Sequence, residues 1–182
     1  DYLADAKDPA DVMPPVIEER AALARLAARA ASEQRPDVVD LIAAAEARGV
    51  GHLLDETTLT LGAGKGGRSW ALDALPTLDT VPWDSLQTVP IAAITGSNGK
   101  TTTVRLVAAC ARAHGWCDGF NCTDGVFIGR KAVASGDYSG PAGTRLVLRD
   151  TSVEAAVLET ARGGILRRGL AADRADVAIV TN

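Results

Sequence analysis

The sequence is poor in aromatic residues, cysteine and histidine. Aromatic residues make up 4% of its 182 residues, and it contains three cysteines and two histidines. Cys110, Cys117 and Cys122 form no Cys-x-x-Cys pair, which argues against a disulfide framework and against a zinc site. We therefore expect an aliphatic core and a protein of the reducing, cytoplasmic environment.

Long apolar runs and a strong net charge are also missing. No apolar segment approaches the roughly 20 residues that span a bilayer, and the start of the chain lacks the pattern of a signal peptide. We therefore expect no membrane partner. The net charge of −4 gives no electrostatic reason to expect nucleic acid as a partner. Homo-oligomerisation is left open. The sequence begins at Asp1 without an initiator Met, which indicates an excerpt of a longer chain.

The sequence pattern of residues 1–88 predicts a small N-terminal α+β region and a linker. After a polar lead-in at 1–14, apolar spacing predicts two helices, at 16–33 and 36–48. Two short strands are expected at 53–55 and 58–61. The Gly-rich segment 62–69 contains Lys65, but it has no Gly-Lys-Ser/Thr and no helix after it. We interpret it as a hairpin turn or flexible link rather than a second phosphate loop. Three prolines in 76–90 indicate the linker.

Residues 89–182 alternate between strand and helix patterns. Strands are expected at 91–95, 119–123, 126–133 (as a hairpin), 153–158 and 176–181, and helices at 101–114, 142–149 and 165–171. This alternation predicts an α/β fold with a parallel sheet and flanking helices. Ligands of such sheets bind at the carboxyl ends of the strands. That rule places four segments along one edge, namely 96–101, 123–125, 159–162 and 181–182.

The most informative stretch joins the apolar strand 91–95 to a helix through a Gly-rich turn. Backbone amides of such a turn and of the first helical turn favour an anion, Lys100 adds a positive charge, and a threonine hydroxyl can bind Mg²⁺. The spacing is shorter than that of the common P-loop, because Ile94 stands where its first glycine would be. We predict a phosphate site formed by Gly96, Ser97, Asn98, Gly99, Lys100, Thr101 and Thr102. A plain connector between strand and helix is the alternative.

Three segments carry a family resemblance. They are the loop 94–103, the segment 123–129 (Thr-Asp-Gly-Val-Phe-Ile-Gly), and the segment 156–182, which contains Leu-Glu-Thr-Ala-Arg-Gly-Gly from Leu158. Together they resemble the Mur ligase superfamily, and most closely the Mur-ligase-like domain of the cyanophycin synthetases. The resemblance covers residues 89–182, about half the chain, and more weakly the region 59–69. It implies the N-terminal part of a Mur ligase central domain with a P-loop-containing parallel sheet.

The resemblance also implies a reaction. Such enzymes use ATP and Mg²⁺ to activate a carboxylate as an acyl phosphate, which the amine of an amino acid then attacks. Lys100 and Glu159 would be catalytic, and Thr101 and Glu159 would bind the metal. Glu159 follows an apolar strand at the expected edge, where a metal beside ATP needs hard oxygen ligands. A surface glutamate that caps the next helix is the alternative.

Four further residues are candidates for contact with an acidic peptide or amino-acid substrate or with the amine donor. They are Thr123, Asp124, Arg162 and Arg167. Arg162 is the favoured one, because the two glycines after it allow close approach and arginine pairs bidentately with a carboxylate. A solvated arginine at a helix start is the alternative.

The sequence differs from that of the resembled family in two ways, and other functions stay open. Residues 1–88 are too few for the ATP-grasp domain that precedes this one in cyanophycin synthetases, and that family continues past the final Thr-Asn. We therefore expect residues 1–182 alone not to ligate.

A peptidoglycan or folylpolyglutamate-type ligase is a second hypothesis for the function, against which the Glu-Thr-Ala-Arg-Gly-Gly run argues. A non-catalytic nucleotide-binding module is a third.

Overall fold

The structure, a computed structural model, describes residues 18–182. The predicted lead-in at 1–14 and the first two residues of the predicted helix 16–33 lie outside the described residues. The chain divides into two compact units, one ending at Pro36 and the other spanning Asp37–Asn182. In the first unit, helix α1 covers Glu19–Glu33. The predicted domain boundary at residue 88 stays a prediction.

The first part of the second unit is a small antiparallel sheet with one helix. Helix α2 covers Pro36–Glu46. The strands β1 (His52–Leu54), β2 (Thr58–Leu61) and β3 (Arg68–Ala71) pair in the order β1-β2-β3. Strands β2 and β3 are antiparallel neighbours, which confirms a hairpin connection for the Gly-rich segment. The predicted linker contributes Val81 and Leu86 to the buried cluster around Leu41 and Leu59. It is therefore a packed part of this unit.

The main sheet has six strands in the order β7-β6-β5-β8-β4-β9. Their bounds are Ile91–Gly96 (β4), Asp118–Cys122 (β5), Gly125–Ile128 (β6), Lys131–Ser135 (β7), Ala155–Glu159 (β8) and Val177–Thr181 (β9). Strands β5, β8, β4 and β9 are parallel, and β6 and β7 add an antiparallel hairpin. The predicted parallel α/β sheet is confirmed for these four strands, and the hairpin makes the whole sheet mixed.

Helices cover both faces of this sheet. Helix α3 is Lys100–Ala113, α4 is Pro141–Arg149 and α5 is Arg162–Arg168. Val104 and Ala108 of α3 lie in one buried cluster with Val157 of β8. Val147 and Leu148 of α4 lie in another with Leu158. Because adjacent strand residues point to opposite faces, Val157 and Leu158 anchor the two layers. No helix within residues 18–182 is long and apolar enough to cross a membrane.

Arg149 at the end of α4 links the two sheets through polar contacts. Its guanidinium donates to Thr60 Oγ1 at 3.0 Å, to the Thr58 carbonyl at 3.2 Å, and to the carboxylate of Asp55. The backbone N–H groups of Thr57 and Thr58 donate to the same carboxylate, each at 3.0 Å. The Thr57 bond above all, followed by Arg149, lowers the pKa of Asp55 to about 2.

We expect Asp55→Asn to lower the free energy of unfolding at pH 7 by about 2 kcal/mol, the value that linkage assigns to this lowered pKa. Because folding lowers the pKa, the contribution is complete above the unfolded value of 3.8 and is lost as the pH falls through about 2. Urea unfolding of the wild type and of Asp55→Asn between pH 7 and pH 2.5 measures this contribution to the free energy of unfolding. Asp84→Asn, at an exposed aspartate, is the matched control. A difference between Asp55→Asn and wild type that stays constant with pH would contradict this account.

Candidate functional site

The carboxyl ends of three parallel strands bring the predicted site residues to one edge. Glu159 at the end of β8 pairs in register with Ile94 of β4, two residues before that strand ends at Gly96. On the other side of β8, Asn121 of β5 pairs with Leu158, so Thr123 follows at the same edge. The sheet register therefore places the Gly-rich loop, Thr123 and Glu159 beside one another.

Two glycines determine the path of the loop. Gly96 has φ +133°, and a Cβ there would lie 2.2 Å from the carbonyl oxygen of Thr181 in β9. Gly99 has φ +79° and is the N-cap of α3. L-residues rarely adopt either conformation. Glycine at both positions therefore lets the chain leave β4 beside β9 and enter α3 at once.

Backbone donors at the start of α3 are free to hold an anion. The first helical hydrogen bond runs from Thr103 N–H to the Gly99 carbonyl at 2.9 Å, so the amides of Lys100, Thr101 and Thr102 have no intrahelical acceptor. The amides of Ser97 and Asn98 donate to the Asn182 carbonyl at 2.9 and 2.6 Å. The donors that remain, together with the helix dipole, favour a phosphate at this turn.

The ammonium of Lys100 lies over the loop. Its Nζ donates to the Ser97 carbonyl at 3.1 Å, and it forms no ion pair within residues 18–182. Its charge is therefore available to an anion at the same turn.

Thr101 and Glu159 are in direct contact, although 58 positions separate them in the chain. Thr101 Oγ1 donates to Glu159 Oε2 at 2.9 Å and lies 3.2 Å from Thr123 Oγ1. Glu159 is fully buried. Its second oxygen, Oε1, has no hydrogen-bond partner among the described residues. An unpartnered buried carboxylate oxygen carries a large desolvation cost, which a cation at this position would offset.

Burial is the main influence on the charge of Glu159. It raises the pKa of this carboxyl above its usual range, while the Thr101 hydrogen bond and the charge of Lys100 act in the opposite direction. Asp137 and Asp124 add a smaller upward effect. The ionised form of Glu159 is thus disfavoured by burial, and a cation bound beside it would favour that form again.

The oxygen atoms present fit a magnesium ion that also takes ligands from a nucleotide. Mg²⁺ is typically held by one or two carboxylates together with phosphates and water, and Thr101 and Glu159 offer a hydroxyl and a carboxylate side by side. Among residues 18–182, no group of three or more His, Cys, Asp or Glu side chains is placed to hold a metal. Such a metal would therefore depend on phosphate and water for its remaining ligands.

Asn121 is a site residue that no motif in the sequence indicated. It is fully buried, and its Nδ2 donates to the Glu159 carbonyl at 2.8 Å and to the Tyr138 carbonyl at 2.6 Å. It thereby ties the end of β8 to the segment before α4. The available signal was an amide residue inside the predicted strand 119–123, where an apolar side chain is usual.

The other predicted substrate residues occupy different surroundings. Asp124 pairs with Arg105 of α3 at 2.6 Å, and both side chains are more than half exposed. Arg162 is exposed at the start of α5. Arg167, near the end of α5, lines a cavity of about 180 Å³, and Arg162 is not part of that lining. The structure thus brings Thr123 to the Thr101–Glu159 pair, and Arg167 to a cavity.

The site segment is similar to known ligases. Residues 94–182 match the family "Mur ligase middle domain". The chain is 54% identical over 110 residues to a cyanophycin synthetase of Crocosphaera subtropica and 50% identical over 110 residues to one of Synechocystis sp.. It is 51% identical over 94 residues to one of Trichormus variabilis. These matches cover 52 to 60% of this chain but only 10 to 13% of the relatives.

Proposed function

Residues 94–182 belong to the Mur ligase middle-domain family, and from this premise we propose that they form the ATP-binding part of an ATP-dependent acid–amino-acid ligase. The reaction is the one expected from the sequence, in which a carboxylate is activated as an acyl phosphate and an amino-acid amine attacks it. The curated relatives are named cyanophycin synthetases. A reaction of the cyanophycin-synthetase type is therefore the form that we propose.

One observation carries this proposal. A fully buried glutamate with an unpartnered oxygen contacts a threonine hydroxyl in the first turn of a helix that follows a Gly-rich loop. A carboxylate that served packing alone would have its lone pairs satisfied by protein donors. The open oxygen of Glu159 beside free helix amides is what a nucleotide site with a metal ion requires.

The residues of this site have distinct roles in the proposal. The amides of Lys100, Thr101 and Thr102 and the Lys100 ammonium hold and orient phosphate oxygens. The Thr101 hydroxyl and the Glu159 carboxylate hold Mg²⁺. Bound ATP supplies the phosphoryl group that activates the carboxylate. Asn121 keeps the backbone of Glu159 in place at the end of β8.

A chimera tests the proposal in a complete enzyme. Residues 94–182 replace the corresponding segment of the Synechocystis cyanophycin synthetase, and ADP release is measured with ATP, an aspartate-containing peptide and a set of amino acids. The proposal predicts ADP release that requires both the peptide and an amino acid. Nucleotide binding without such release would contradict the ligase function and favour a non-catalytic nucleotide-binding module. The unaltered Synechocystis enzyme is the control.

A further inference from the structure

A cavity of about 180 Å³ lies beside the nucleotide edge. Its walls are the segment before α4, the first turn of α4, and helix α5, including Asp137, Ser139, Arg167 and Arg168. The Tyr138 carbonyl in one wall shares the Asn121 amide with the Glu159 carbonyl. The Ser139 carbonyl accepts the Ala161 N–H at 3.0 Å. These hydrogen bonds attach the cavity wall directly to the end of β8.

One side of the cavity offers hydrogen-bond donors. Helix α4 has no side-chain cap at Gly140, and Pro141 has no N–H. Its first helical hydrogen bond runs from Thr144 N–H to the Gly140 carbonyl at 3.1 Å, so the amides of Ala142 and Gly143 have no intrahelical acceptor. Arg167 and Arg168, two exposed arginines of α5, are also among the residues that line the cavity. Free amides next to arginine form a set of groups that recognises a carboxylate.

The same cavity contains an acidic group. Asp137 accepts hydrogen bonds from the Ser139 N–H at 3.0 Å and from the Ser139 hydroxyl at 2.6 Å. These bonds, with a contribution from Arg168, lower the pKa of Asp137. Asp137 is therefore ionised at neutral pH. The cavity presents a carboxylate and arginine guanidinium groups to the same ligand, a combination that a purely anionic ligand would not satisfy.

The size of the cavity limits what it can take. At about 30 Å³ for each water molecule, it holds roughly six waters, and it is smaller than the roughly 300–1,000 Å³ of pockets for drug-sized ligands. A single amino acid matches this volume better than a length of peptide does. A zwitterion also matches both kinds of charge in the lining.

We propose that this cavity binds one free α-amino acid. Its carboxylate is held by Arg167 and by the amides of Ala142 and Gly143, and its ammonium group faces Asp137. The assignment of this amino acid as the amine donor rests on the proposed function, because only a ligase would need it beside Glu159. Binding of the amino acid itself does not depend on that function.

Calorimetry on the 182-residue chain tests the binding site. The probes are L-alanine, L-aspartate and L-arginine, with agmatine as the analogue of arginine that lacks the carboxylate. We expect saturable binding of at least one of the amino acids and binding of agmatine at least tenfold weaker than that of arginine. Arg167→Gln should weaken amino-acid binding by about tenfold or more, because it removes a charge-assisted contact to the carboxylate.

The matched control is Arg130→Gln, since Arg130 lies in the turn between β6 and β7 at the opposite edge of the sheet. Arg130→Gln should leave the affinity unchanged. The proposal is overturned if no amino acid binds saturably, if agmatine binds as well as arginine, or if the two arginine variants behave alike.

A second measurement separates this proposal from the proposed function. In the chimera, Arg167→Gln should raise the KM for the amino acid at least tenfold and leave the KM for ATP unchanged. Amino acids could bind the 182-residue chain in the carboxylate-dependent way described while ATP does not bind. That result would support the amino-acid site and contradict the proposed function. If ATP binds and amino acids do not, the cavity proposal alone fails.

Discussion

Lys100→Ala is expected to slow ADP release in the chimera by at least about 100-fold. The Lys100 side chain sits above the phosphate loop with one hydrogen bond, to the Ser97 carbonyl. Loss of a single preorganised contact to charge that develops in a transition state typically costs about 10²–10³-fold in rate. The fold should be unaffected, because Lys100 belongs to none of the buried clusters.

Two measurements check this expectation. ADP release is followed in the chimera, and urea unfolding is followed in the 182-residue chain, where the free energy should change by no more than about 0.5 kcal/mol. The matched control is Lys131→Ala, since Lys131 is an exposed lysine at the start of β7. Turnover in Lys100→Ala equal to that of the Lys131→Ala chimera would show that Lys100 does not serve the phosphate.

Glu159→Gln is expected to weaken Mg²⁺-dependent nucleotide binding by about 100-fold. The substitution keeps the shape of the side chain but removes its charge, and a charged ligand or hydrogen-bond partner contributes about 1.5–3 kcal/mol. Binding of ATP without Mg²⁺ should change far less, because the amides and Lys100 remain. Calorimetric titration of ATP with and without Mg²⁺ measures both, and Glu56→Gln, at an exposed glutamate in a turn, is the control.

The same variant should be at least as stable as the wild type without metal. Burial raises the pKa of Glu159 in the folded state, so the stability of the wild type is greatest below the unfolded pKa and falls as the pH rises through the raised value. Glutamine does not titrate, so the variant lacks this pH dependence. Urea unfolding of both proteins at pH 5 and pH 8 measures the difference in the free energy of unfolding. A marked loss of stability at pH 8 in Glu159→Gln would mean that the carboxylate is a packing element rather than an open ligand.

The sequence predicted the main sheet well because its signals are local. Continuous apolar runs located β4 and β8 to within a few residues, and a helix pattern located α3. The prediction for α5 was wrong at both ends, since the helix begins at Arg162 rather than 165 and ends at Arg168 rather than 171. Gly163 and Gly164 were placed before the start of the helix, yet they lie within it. Gly169, with φ +68°, ends it as a C-terminal glycine does.

The site was only partly predictable. Parallel strands share one carboxyl edge, so the order of strands and loops was enough to place Thr101 near Glu159. The role of Asn121 was not visible, because its two carbonyl partners come from separate segments around Tyr138 and Glu159. The cavity lined by Arg167 could not be predicted from the sequence either, since its walls come from separate segments that meet only when α4 and α5 are in place. Arg162 was favoured over Arg167 from its glycine neighbours, whereas Arg167 is the one that lines the cavity.

The most direct measurement is a crystal structure of the chain with Mg²⁺ and a non-hydrolysable ATP analogue. We expect the phosphates on the amides of Lys100, Thr101 and Thr102, with the Lys100 ammonium in contact. The metal should lie about 2.1 Å from both Thr101 Oγ1 and a Glu159 carboxylate oxygen, the usual distance for Mg²⁺. A nucleotide bound elsewhere, or a metal that Glu159 does not contact, would contradict the account.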